Sequence, residues 1–267
     1  MNDSPLSLGK AIRAALLTAE PKAKAFAARH VARQWRLGRL KWSFDVAMPD
    51  QPAWPARPEL LPPRRMPRRG KAGSERGRIA LWHALAHIEF VAIDLALDMV
   101  GRFGAAMPRD FADDFLSVAA DEAMHFALLD RKLHTLGSSY GALPAHDGLW
   151  RSAEATRHDV LARLAIVPMV LEARGLDVTP ATRDRIAAQG DDPGARILQR
   201  ILDDEIRHVG FGTKHFVRLA RASGKSPQNH WRDLVESHFA GGIKPPFNDS
   251  ARLQAGLSRD FYDSLAS

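Results

Sequence analysis

The chain of 267 residues has no cysteine. That excludes disulfide frameworks, thiolate zinc sites, iron–sulfur clusters and cysteine nucleophiles. Tyrosine is scarce: only Tyr140 and Tyr262 occur. No uninterrupted apolar run reaches the ~18 residues of a membrane span. The leading MNDSPLSLGK lacks the basic-then-apolar order of a signal peptide. The expectation is a cytoplasmic protein without membrane contact. Stretches that read as β-strands are also missing.

What is present is ordinary globular material, 45% hydrophobic and 26% charged. It suffices for one large domain or two small ones with a sizeable core. The formal charge of +7 is unevenly placed. Residues 1–80 hold 17 Lys/Arg against 6 Asp/Glu, a balance of +11, whereas the remainder carries −4. Basicity therefore belongs to the leading segment and not to the body.

Residues 5–40 read as helical, with Ile12, Ala15, Leu16 and Phe26 at helical spacing and Pro21 opening a second helix. Seven prolines between Pro49 and Pro67 and five arginines between Arg57 and Arg69 then interrupt regular structure. This is an extended arm, expected to dock through Trp54, Leu60 and Leu61, with phosphate contact as the alternative. Long helices follow: about 75–101 from an N-cap at Ser74, then Pro108 to before Gly137. A Pro/Gly-containing stretch precedes a third helix at about 151–174. A short helix starts at Thr179-Pro180, a fourth long one covers about 192–222, another follows Ser226-Pro227, and a last one follows Asn248. The predicted class is all-α. It has an N-terminal helical segment and Pro/Arg-rich arm over 1–73, and a four-helix bundle with a C-terminal helical extension over 74–267.

The chemistry lies in a repeat. Nine Glu and eleven His placed at random would make the pattern Glu-x-x-His less than once, yet it occurs at Glu122/His125 and Glu205/His208. Glu89 precedes Glu122 by 33 residues and Glu172 precedes Glu205 by 33, so the whole set recurs with an offset of 83. Residues i and i+3 share a helical face, so each Glu-His pair can serve one metal pair. At 1.5 Å rise per residue, Glu89 and Glu122 reach similar heights in an antiparallel hairpin. The 137–150 stretch can span about 45 Å when extended, enough to recross a bundle. Four inward carboxylates and two histidines on four helices form the di-iron or di-manganese arrangement. Four carboxylates balance two divalent ions, and oxygen and imidazole donors without sulfur suit iron or manganese. The predicted ligands are Glu89, Glu122, His125, Glu172, Glu205 and His208. Asp121 and Asp204 are assigned to hold the free N–H of the histidine on the opposite helix.

Other features rank lower. His83 and His87 lie on a different face from Glu89 and are read as packing or hydrogen-bonding residues, with a second metal as the alternative. Asp94 is the substitute should Glu89 not serve. His134 and His215 are read as structural. Gly210 and Gly212 allow a π-bulge or a close helix contact after His208. Pro168 is expected to kink the third helix. Glu172 then falls near a helix end at Gly175, with loop 175–180 rimming an entrance.

At these residues the chain resembles a known group. His87-Ile88-Glu89, Asp121-Glu122-Ala123-Met124-His125, Leu171-Glu172-Ala173-Arg174-Gly175-Leu176-Asp177 and Asp204-Glu205-Ile206-Arg207-His208 are similar to an uncharacterised bacterial domain-of-unknown-function family of the ferritin-like superfamily. Arg57-Pro58-Glu59-Leu60 and Pro144-Ala145-His146-Asp147-Gly148 match it too, so the resemblance covers about residues 5–265. It implies a ferritin-like bundle with one long crossover and two bound metals, and it names no reaction. The leading expectation is an O₂-activating di-iron oxidase or oxygenase, with Fe/Mn or Mn/Mn as metal alternatives. Such an enzyme needs an electron donor and an unknown small-molecule substrate. A ferroxidase or metal-handling protein is the first alternative. A tRNA- or nucleic-acid-modifying hydroxylase using the basic arm is the second. A homo-oligomer is compatible with each. Neither tyrosine lies on a metal-bearing helix, which argues against a radical-generating subunit.

Overall fold

The structure is a computed structural model that describes residues 6–67 and 73–266. Among these residues there is no strand, only isolated bridges such as Ser7 with Lys41 and Leu60 with Ala145. The all-α class is as predicted. Compactness divides the chain into two units, 1–150 and 151–267. The N-terminal helices thus belong to the same compact unit as the first two long helices.

In the first unit, α1 (Leu8–Leu16) is capped by the Ser7 hydroxyl, which accepts from Lys10 N, and α2 (Pro21–Arg36) by the Glu20 carboxylate. The long pair is α3 (Glu75–Phe103) and α4 (Arg109–Thr135), joined by a tight turn at Gly104–Ala106. The Ser74 hydroxyl caps α3 as the sequence indicates. α2 packs on α4 and α1 packs on α2 and α3. Phe90, Phe111, Phe126, Ile12 and Leu8 form the core. Phe26, read as an apolar face position, is instead 78% exposed. Gly137, at φ +70°, ends α4 in the left-handed conformation that lets its last carbonyls be capped.

One helix is more apolar than a search for unbroken runs reveals. By length and composition the helical stretch Glu75–Ala106 is apolar enough to cross a membrane, although no uninterrupted run is. Its most apolar window is 67% buried inside the protein. From Phe90 to Gly101 every α3 side is covered, so this stretch keeps no solvent-facing side.

The proline arm is docked, as its apolar residues suggest. Leu61 N donates to Ala145 O at 2.8 Å and Ala145 N to Glu59 O at 2.9 Å. Trp54 stacks edge-on against Trp150. Arg57, Arg64 and Arg65 point into solvent, while Arg68 and Arg69 lie outside the described residues.

The second unit departs further from expectation. The predicted third helix, 151–174, is two pieces. α5 (Gly148–Ala155) ends before Thr156, and α6 (Val160–Ile166) restarts with Asp159 capping Leu161 N. Buried Arg163 staples this break, donating to Ala153 O and Thr156 Oγ1. α6 then passes through a π-helical stretch, Val167–Glu172, into α7 (Ala173–Ala188) without interruption. Pro180 lies inside α7 and starts no separate helix. The cause of the π stretch is Pro168. It has no N–H to give to residue 164, and its ring crowds the preceding turn. The chain widens so that Ala173 N donates to Pro168 O, five residues back. α8 (Asp192–Ala222) packs along α7 and the π stretch. A Cβ on Gly212 would lie 2.4 Å from the Pro168 ring, so glycine is what admits that contact. The π-bulge thus sits at Pro168, and Gly212 supplies the close approach. α9 (Pro227–His238), α10 (Asp249–Gln254) and α11 (Arg259–Tyr262) close the unit. Buried Arg252 clamps Asp177 of α7 with two bonds of 2.8 and 2.7 Å, under the rings of Phe247 and Tyr262.

Candidate metal centre

Two turns of α3 and α4 face each other where the repeat places Glu89 and Glu122. The antiparallel hairpin brings both carboxylates to His125. His125 Nδ1 lies 3.2 Å from Glu89 Oε2 and 3.2 Å from Glu122 Oε2. The potential ligand atoms of the three residues all fall within 4.8 Å of one another. Glu89 is 4% exposed, and Glu122 and His125 are fully buried. Burial, and then the neighbouring Glu122 carboxylate, push the Glu89 carboxyl well above the usual carboxylate range, with His125 partly offsetting them. Two buried carboxylates flanking one imidazole are stable with protons or with a cation, and poorly without either. Oxygen and nitrogen donors at this spacing can hold a metal ion.

The second Glu-His pair is built on α8. Glu205 and His208 are one turn apart and buried, with Glu205 Oε2 3.8 Å from His208 Nδ1. Glu172 is half-buried and ends the π stretch. It therefore lies within continuous helix and not at a helix terminus. No loop over 175–180 exists to rim an entrance, because that segment is part of α7. Asp204 is buried and accepts from Arg200 Nε at 2.6 Å and Arg207 Nη2 at 3.0 Å on its own helix. Asp121 is half-buried on α4.

The remaining candidates have structural partners. Asp94 forms a buried ion pair with Lys24 at 2.5 Å and accepts from Trp54 Nε1 at 3.3 Å. Burial pushes its carboxyl up to about 6, against the opposing pull of Lys24. Burial likewise lowers Lys24. This pair was not legible: nothing local marks Lys24 as buried, and Asp94 lies 70 residues away.

His83 and His87 hold the loop after α4. His83 Nε2 accepts from Gly141 N at 3.0 Å. His87 Nε2 lies 3.0 Å from the His146 carbonyl, to which it must donate, so its Nδ1 accepts from the Tyr140 hydroxyl at 2.9 Å. Burial takes both imidazoles down to about 4. His134 Nδ1 donates to Asp130 O, and Arg218 donates to the buried His215.

An uncharacterised protein of Haemophilus influenzae is 41% identical over 217 residues, covering 79% of this chain and 75% of that protein. No solved structure matches the chain. Residues 17–263 match the family model described as protein of unknown function (DUF455), and with almost the whole chain covered, this protein belongs to that family.

Proposed function

We propose that the chain is a di-metal carboxylate oxidoreductase of the ferritin-like four-helix class, using O₂ and an external electron donor on a small organic substrate. Its ligands are Glu89, Glu122, His125, Glu172, Glu205 and His208, and its metals are two iron ions, with iron–manganese or two manganese ions as alternatives. α3, α4, the α6–α7 helix and α8 are the four bundle helices, and residues 137–147 belong to the long crossover. The observation that carries this reading is the convergence of Glu89, Glu122 and His125 in a buried cluster. The same i, i+3 pair recurs, also buried, on α8.

The donor set fits such metals, since all six groups are oxygen or imidazole and the chain offers no sulfur from cysteine. Bound iron would supply the one-electron steps of O₂ activation. The protein's share is electrostatic and steric. Four carboxylates neutralise two divalent ions, and fully buried Glu122, His125 and His208 keep bulk water away. Asp121 and Asp204 orient the histidines, with Asp204 itself held by Arg200 and Arg207. Metal analysis of protein purified from cells tests the proposal. About two transition-metal ions per chain are expected, and a metal-free wild type overturns it. Aerobic addition of Fe(II) separates the storage alternative, which requires mineral formation and a large assembly.

A second reading rests on one surface. Lys22, Arg29, Arg33 and Arg36 line the exposed side of α2, which carries no acidic residue within the helix, and Arg57, Arg64 and Arg65 of the arm are exposed as well. Nucleic acid is the polymer this face suits, and an oxidoreductase so equipped would modify RNA. Binding of RNA that falls steeply with salt supports it, and salt-independent or absent binding removes it.

A further inference from the structure

The first unit holds a cavity of about 310 Å³ that no step of the proposed chemistry uses. It lies against the face of α3 that carries Ala80, Ala84 and Ile88. Leu143, Pro144 and Leu149 also line it, as do Met66 and Pro67 of the arm. Its volume is at the small end of the range for ligand pockets. The pocket is not an antechamber of the carboxylate cluster: His87 and Glu89 are two residues apart on a helix, so their side chains diverge by about 200°.

The polar groups define what it takes. Four lining residues carry them: Arg76, His83, His87 and His146. Both ring nitrogens of His87, and Nε2 of His83, are already bonded to the loop over 140–146. They therefore build the wall. Arg76 is exposed at the edge, with a full fork of donors. His146 Nδ1 accepts from Gly148 N at 3.3 Å, which leaves its proton on Nε2, a second donor. Among the described residues no carboxylate lines the cavity. An apolar interior whose uncommitted side-chain groups, Arg76 and His146, are both donors, one of them a permanent cation, selects a ligand with an apolar body and an anionic head.

We propose that this cavity is a binding site for a small aliphatic carboxylate, its chain along Ala80, Ala84 and Leu143 and its carboxylate on Arg76 and His146. The closing experiment is calorimetric titration of the full chain with octanoate, and with 1-octanol as the uncharged analogue of equal length. Saturable binding of octanoate is expected, tighter than that of octanol. Ala84→Trp fills the cavity and abolishes both. Arg76→Gln leaves the apolar walls intact. It weakens octanoate about tenfold or more, the worth of a charge-assisted hydrogen bond, while octanol binding and metal content stay unchanged. Failure of the wild type to bind either probe overturns the proposal. So does octanol binding as tightly as octanoate, or an Arg76→Gln variant that binds octanoate normally.

Discussion

The two units carry the same motif at the same spacing and build it differently. In the first, Glu89 and Glu122 sit on regular helices, and both carboxylates lie 3.2 Å from His125 Nδ1. In the second, Glu205 and His208 are 3.8 Å apart, and Glu172 ends a π-helical stretch forced by Pro168. A π turn adds a residue, so everything beyond it is rotated relative to a regular helix. Equal numbers of residues therefore do not give equal side-chain directions.

The sharpest way to break this comparison is metal content. On the proposed di-metal reading, Glu122→Ala should lose most of the metal, because it leaves Glu89 and His125 without their buried counterpart. Glu172→Ala should keep a larger share, since Glu172 is half-buried where Glu122 is fully buried. Elemental analysis of both variants reads this directly, and equal losses would show the halves to be equivalent.

Next in size are the buried ion pairs, one in each unit. Arg252→Met strands the Asp177 carboxylate and should cost about 3–5 kcal/mol. At about 2–4 °C per kcal/mol for a protein of this size, a thermal melt will show it. Lys24→Met should cost less at pH 5 than at pH 8. Burial already pushes Asp94 up to about 6, so the abandoned carboxyl accepts a proton in acid.

Acid should loosen the loop that α3 holds. His83 is taken down to about 4 by burial, below its unfolded value of 6.5. The unfolded chain therefore binds the extra proton, and stability falls as pH drops from about 6.5 to 4. The slope reaches at most about 1.4 kcal/mol per pH unit for one such group. Urea midpoints across this range should flatten in His83→Gln.

The smallest effects separate two tight glycines. A methyl at Gly212 meets the rigid Pro168 ring at 2.4 Å, whereas at Gly101 it meets the flexible Met48 side chain at the same distance. Gly212→Ala should cost about 1–3 kcal/mol as overpacking. Gly101→Ala should cost less, and Gly210→Ala, with 3.7 Å to its nearest neighbour, least of all. Denaturant midpoints give the order.

Much of the architecture was legible. The caps at Ser74 and Ser226, the break at Pro21 and the end at Gly137 follow from local chemistry that acts within one turn. The misreadings at the C-terminal end of the third predicted helix have one cause. Thr179-Pro180 and Gly175 look like boundaries, but the packing of α7 on α8 and the Asp177–Arg252 clamp keep the helix going through both. Propensity differences of about 1 kcal/mol at a glycine are small beside that burial. The apolarity of α3 was underestimated because scattered His, Glu and Asp conceal it in a search for unbroken runs.

The linear order of residues determined the helical class and the doubled Glu-x-x-His pattern, because helix periodicity and capping are decided by neighbours three or four positions apart. Only the folded chain decided that Glu89 meets His125 while Asp94 goes to Lys24. Five residues separate the two acids on one helix, and which partner each finds depends on what packs against its side of that helix.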